Sequence, residues 1–170
     1  MQILVVSDSH GYYPCLRDAY LLHRDADLII HCGDGENDAA ELLREFPEAA
    51  PRFHIVRGNC DHDSNIPKQI TLDLPYTHRI TVVHGHEHMF GDFMQNFVWL
   101  ARSTGADIIA FGHLHVKMDR RADGIKIFNP GSVAKPRDTM SPSYGLIDVM
   151  PLGVLTSHGY LHSIGVPADQ

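Results

Sequence analysis

Seven residues in five short segments of this chain are good ligands for a first-row divalent cation. They are Asp8 and His10 in DSH, Asp34 in CGD, Asn59 in GNCD, His84 in HGHEH, and His113 and His115 in GHLH. Taken singly, each has a plain explanation: an Asp or Asn after a strand usually makes a turn, and a lone His there is more often hydrogen-bonded structure. Taken together they describe a metal centre. One ion does not need seven protein ligands, whereas two ions sharing a carboxylate do. Asp8 and His10, at i and i+2 of an extended segment, fall on one face and can serve one cation. His113 and His115 share a face as well, and a slight splay sends them to neighbouring ions. Asp34, alone after its strand, is the natural bridge. A bridged pair about 3.5–4 Å apart activates a water and clamps the oxygens of a phosphoryl group. Oxygen and nitrogen donors without thiolate favour Mn, Fe, Ni or Zn over Ca or a cysteine-rich structural zinc.

Such a site needs a scaffold that brings five segments to one edge. QILVVS (2–7), DLIIHCG (27–33), FHIVRG (53–58), RITVVHG (79–85) and DIIAFG (107–112) read as buried strands, rich in Ile and Val and closed by glycine or polar residues. Helical patterns fill 14–23, 37–45 and 92–104, the last with Phe93, Phe97, Leu100 and Ala101 spaced as a core-facing stripe. This alternation predicts an α/β fold with a mostly parallel sheet. Every candidate ligand follows the carboxyl end of a strand, where open α/β sheets bind their ligands. After residue 120 the pattern changes to consecutive strands (GIKIFNPG, SYGLIDVM, GVLTSH), which predicts a second, antiparallel portion and hence two sheets. No linker or repeat divides the chain, so 1–170 reads as one domain.

Composition narrows the partners. A net charge of −7 argues against a stable nucleic-acid complex, which needs clustered Lys and Arg. Thirteen histidines beside that excess of acid suit a cation site, because a divalent metal offsets part of the charge. No apolar run is long enough to span a membrane, and MQILVVSDSHG lacks the basic and small-residue pattern of a signal peptide. The three scattered cysteines make no disulfide framework, so the expected location is cytoplasmic.

In this order, DSH, GD (33–34), GNCD (58–61), HG (84–85) and GHLH (112–115) resemble the calcineurin-like metallophosphoesterases over residues 3–150. NPGS at 129–132 is similar to the small YfcE-type phosphodiesterases within that family. The resemblance implies a four-layer α/β/β/α sandwich of two mixed sheets flanked by helices. It implies that Asp8, His10, Asp34 and His115 hold a first metal, and that Asp34, Asn59, His84 and His113 hold a second. Two divalent ions, manganese foremost and Fe, Ni or Zn as alternatives, would then carry a bridging hydroxide as nucleophile. The activity implied is hydrolysis of a small phosphodiester by a homo-oligomer. The alternatives are a phosphomonoesterase or nucleotidase using the same site, and a non-catalytic scaffold of the retromer type.

One position departs from the pattern. Many family members carry a histidine after the motif asparagine, paired with the acid that follows and thought to protonate the leaving oxygen. Here Cys60 stands there, followed by Asp61. A thiol is a weak proton donor near pH 7, so Cys60 is expected as a packing residue rather than a nucleophile or ligand. Readily departing leaving groups should then be preferred. The remaining catalytic candidates are His86, directly after HG, and Asp61, expected to orient its loop. His62, His88, Arg57, Lys135 and Arg137 are expected to be solvated.

Overall fold

The computed structural model describes residues 1–138 and 141–161. In chain order the strands are β1 (Gln2–Val6), β2 (Leu28–His31), β3 (Phe53–Ile55), β4 (Gln69–Asp73), β5 (Arg79–Val83), β6 (Ile108–Ala110), β7 (Lys117–Ala122), β8 (Ile125–Pro130), β9 (Ser143–Met150) and β10 (Gly153–Tyr160). The helices are α1 (Tyr13–Leu22), α2 (Glu36–Glu45) and α3 (Phe93–Thr104), with short 3-10 turns at Pro47–Arg52, Pro75–Thr77 and His86–His88. The strands form two five-stranded sheets, ordered β10-β9-β1-β2-β3 and β4-β5-β6-β8-β7.

Both sheets are mixed. β1, β2 and β3 run parallel, and β9 and β10 extend them antiparallel. β5, β6 and β8 run parallel, with β4 and β7 antiparallel at the two edges. The expected division into a parallel first part and an antiparallel last part therefore needs correcting. The late strands are shared between the sheets: β8 enters the second by parallel pairing with β6, while β9 crosses back to β1.

Three apolar layers hold four layers of structure. Alternation along each strand sends one side chain to each face. Leu4 and Val6 of β1 pack under α1 and α2 with Leu16, Tyr20 and Leu42. Ile3 and Val5 face the other sheet and meet Ile80, Val82, Ile108 and Phe128 between the sheets. Ile109, Phe111 and Ile127 point outward to Phe97 and Ala101 of α3. That helix starts on Asp92, whose carboxylate accepts the Met94 and Gln95 amides at 3.1 and 3.2 Å, and it stops on Gly105 at φ 69°. Among the described residues no helix is long and apolar enough to cross a membrane.

Candidate metal centre

The carboxyl ends of β1, β2 and β3 in one sheet meet those of β5 and β6 in the other, and all seven expected ligands lie in the loops that follow them. Their backbones differ from the extended one expected for DSH. Asp8, His10, Asp34, His113 and His115 all lie at φ between 47° and 65°. Asp and His are among the few non-glycine types that tolerate this left-handed region. Asp8 and His10 thus converge through two tight reversals, not through strand periodicity.

The donor atoms crowd together across the sheet boundary. His115 Nε2 lies 3.2 Å from Asp8 Oδ1 and 3.1 Å from His10 Nε2. His10 Nε2 stands 3.8 Å from both Asp8 Oδ1 and Asp34 Oδ2. His84 Nε2 lies 3.3 Å from Asp34 Oδ2 and 3.1 Å from Asn59 Oδ1. His113 is looser: its ring stands edge-on to His84 at 5.2 Å, and its backbone amide donates to Asp8 Oδ2 at 3.1 Å. Asp34 Oδ2 thus reaches both His10 and His84, and buried Asp8 belongs with donors on both sides as well.

The second nitrogen of two histidines fixes the direction of the first. His84 Nδ1–H donates to the Cys32 carbonyl at 2.8 Å, and His115 Nδ1–H donates to the Lys135 carbonyl at 2.7 Å. In the neutral rings both Nε2 atoms then present lone pairs to carboxylate and amide oxygens. Asp8 is fully buried, and its Oδ1 has no hydrogen-bond partner among the described residues. With the rings neutral, nitrogen lone pairs face buried carboxylate oxygens, a cluster that either protons on the imidazoles or a bound cation can balance; its oxygen and nitrogen donors fit divalent metal. Asp8, His10 and His115 form one group of donors within 4.8 Å of one another, and Asp8, Asp34 and His84 form another.

Protonation follows the same logic. Burial opposes charge on His84 and His115, but the Asp34 and Asp8 carboxylates outweigh it and raise both above the ordinary histidine value. Burial also opposes charge on Asp34, yet hydrogen bonds from His84 and the Cys60 amide hold that carboxyl well below the usual range. His10, His113 and His86 are lowered, chiefly by burial.

A second set of side chains holds the loops. The Asp61 carboxylate accepts four backbone amides: Asp34 (2.8 Å), Gly35 (2.9 Å), Glu36 (3.0 Å) and Gly58 (2.7 Å). It ties the CGD and GNCD loops together beside the cleft that it lines with His10, Asp34 and Cys60. Gly58 is required by this packing, since a Cβ there would fall 1.9 Å from Asp34 Oδ1. Asn129 and Ser132 of NPGS brace the other two loops. Asn129 donates to the Gly112 carbonyl at 2.7 Å, and Ser132 Oγ donates to the Asp8 carbonyl at 2.8 Å. Buried His31 does the same behind the first loop, with Nε2 3.2 Å from Ser9 Oγ. The sequence pointed to Asp61 as orienting its loop and singled out NPGS without giving its residues a role; it held no signal for His31.

Of the other candidates, His86 stands beside the centre with its ring 5.4 Å from His84 and 6.1 Å from His113. Cys60 is exposed, yet its sulfur lies within 4.8 Å of donor atoms of His10 and Asp34, and the Asn59 amide donates to it at 3.3 Å. It therefore lines the cleft at the metal centre rather than packing away from it. His62 is exposed as expected. His88 is not: it is half-buried and stacked on Phe97 at 5.5 Å.

Residues 1–151 match the family model described as the calcineurin-like phosphoesterase superfamily domain. The chain belongs to that superfamily. This metallophosphoesterase is 34% identical over 148 residues to a probable metallophosphoesterase, YsnB, of Bacillus subtilis, covering 86% of this chain and 83% of that one. It is 29% identical over 178 aligned positions to the phosphodiesterase YfcE of Escherichia coli, covering 91% of each. Its fold is also that of Vps29 from Entamoeba histolytica, solved with zinc, at a TM-score of 0.72 and 20% identity over 94% of this chain and 99% of that one. The superfamily's use of divalent metal agrees with the donor set.

Proposed function

We propose that this metallophosphoesterase hydrolyses small phosphodiesters at a pair of divalent cations held between its two sheets. The observation that carries the reading is the convergence of donor atoms from Asp8, His10, Asp34, His84 and His115 around the buried Asp8 carboxylate. Asp8, His10, Asp34 and His115 would hold one ion, and Asp34, Asn59, His84 and His113 the other. Manganese is the first choice, with Fe, Ni or Zn also compatible with these ligands. When bound, such a pair supplies a water-derived nucleophile at neutral pH and positive charge for the phosphoryl oxygens.

The chain's own residues do the rest. A water oxygen adds to phosphorus, the ester bond to the leaving group breaks, and the leaving oxygen takes a proton. Asp61 is a positioning residue, acting through the loops it ties. His86, kept neutral by burial, can donate an N–H to a phosphoryl oxygen but offers little imidazolium for the leaving group. Partial burial, the hydrogen bond to Asp34 and nearby carboxylates push the Cys60 thiol up, so it too is a poor acid. Good leaving groups should therefore be favoured.

The test compares bis-p-nitrophenyl phosphate with p-nitrophenyl phosphate on chelator-stripped protein, with and without Mn²⁺, beside His84→Ala. Metal-restored diester cleavage, lost in the variant, is expected. Activity on the monoester alone would keep the centre but replace the substrate class. No turnover with any metal would favour a binding surface of the Vps29 kind.

A further inference from the structure

An apolar groove lies beside the cleft at the metal centre, the two meeting at Glu36 and Asn37. The cleft, about 280 Å³, is bounded by His10, Asp34, Cys60 and His62, and the groove measures about 320 Å³. The groove runs along α2 between Ala40 and Leu43 on one side and Phe53, Ile55 and Ile66 on the other. It exists because β3 is the last strand of its sheet, so no further strand pairs beside Phe53 and Ile55. From Glu36 to Leu43 the helix advances about 10 Å, roughly the reach of an aryl ester or a nucleoside beyond a phosphate bound at Asp34.

We infer that this groove is the subsite for the ester arm that stays on phosphorus, and that this arm is a flat, uncharged, mainly apolar ring. The inference rests on the diesterase reading above. The rim explains the charge preference. Glu36 and Asp63 stand at the junction, with the Glu36 carboxylate accepting the His62 and Asp63 amides at 2.8 and 2.7 Å. Both acids repel an arm ending in a further phosphate. Asn37, exposed at the same junction, offers an amide that can both donate to and accept from a polar edge of the arm. The wall it shares with the metal cleft puts the groove within reach of a bound diester, and its own walls define what it takes: a ring, held by apolar contact and not by ion pairing.

The test uses two diesters with the same leaving group, bis-p-nitrophenyl phosphate and methyl p-nitrophenyl phosphate, on the metal-loaded protein. Ala40→Trp fills the groove from an exposed helix position, and Ile66→Ser removes part of its wall. Each variant should raise KM for the bis-aryl diester by about tenfold and leave kcat/KM for the methyl diester unchanged. The unchanged methyl reaction shows that the variant folds and keeps its centre. A parallel titration with adenosine, a neutral probe that is not hydrolysed, should shift the Leu43, Ile55 and Ile66 methyl resonances in the original protein but not in Ala40→Trp. If neither diester is cleaved while adenosine still shifts those methyls, the diesterase reading falls and the groove stands as an aryl site. If the two diesters respond alike and adenosine leaves the methyls unmoved, the groove inference is overturned.

Discussion

Cys60 lines the reacting cleft with a thiol whose proton is held more tightly than usual, by partial burial first and by Asp34 second. His86, beside His84 and His113, is lowered chiefly by burial. Neither is an efficient acid near pH 7, so in the proposed reaction the leaving oxygen would depart largely unassisted. Replacing Cys60 by His restores an imidazole beside Asp34 and Asp61. Cys60→His should speed hydrolysis of diesters with phenol or alcohol leaving groups by about a hundredfold and change p-nitrophenyl esters little. The check is the dependence of rate on leaving-group pKa, which should flatten; an unchanged slope would remove Cys60 from the account. A second expectation concerns the ligands. His84 and His115 have raised pKa values, so near pH 7 a larger fraction carries a proton than in free histidine, and metal must displace it. Metal uptake should release protons, and affinity should fall as pH drops through the raised values. Calorimetry at pH 7 in buffers of different ionisation heat measures this release, and none would contradict the assigned ligands. The proposed ligands were legible in the sequence because residue type and a flanking glycine mark them. The part of Asp61 was less so, since three of the four amides it accepts come from residues 34–36, distant in sequence.

Elements place these residues, and their loops are held more by polar braces than by apolar packing. Asp61→Asn keeps the size but loses the charge and turns N–H donors toward amides that need an acceptor. It should lower the unfolding free energy by about 3 kcal/mol, read as a shifted midpoint in urea, and weaken metal binding as well. Ser132→Ala frees the Asp8 carbonyl and the Ala134 and Lys135 amides together. Its larger effect should fall on metal affinity, because the same loop carries the Lys135 carbonyl that orients His115. A variant with lowered melting temperature but unaltered metal affinity would make this brace purely structural. The helices and the central strands were legible from periodicity, to within a residue for α1, α2 and α3. Two edge strands were not. β4 alternates Ile70 and Leu72 with exposed neighbours, but it lies between prolines and reads as loop. β7 is Lys117–Ala122, dominated by charge, and is a strand only because β8 pairs with it. Charged residues on an edge protect it from pairing with other chains, and they also hide it from a hydrophobic pattern.

The whole molecule is two sheets pressed face to face, with the ligands divided between them. Asp8, His10, Asp34 and Asn59 follow strands of the first sheet, and His84, His113 and His115 follow strands of the second. Each proposed ion therefore draws ligands from both sheets and acts as a staple across the apolar layer of Ile3, Val5, Val82 and Phe128. Without cations, the buried carboxylates at that end of the interface are balanced only by partial protonation of His84 and His115, and the chain carries a net charge of −7. Binding that favours the folded state stabilises it by about 2.7 kcal/mol at a hundred times Kd. For a chain of this size that corresponds to roughly 5–10 °C in melting temperature. Adding Mn²⁺ to chelator-stripped protein should produce such a rise, and Asp34→Asn, which weakens the proposed bridge, should abolish most of it. Hydrogen exchange gives the decisive contrast. Metal should slow exchange in β1 and β6 together, one strand from each sheet, because both are clamped by the same ions. Protection confined to one sheet would mean that the ions do not span the interface, and the binuclear arrangement would have to be redrawn on that sheet alone.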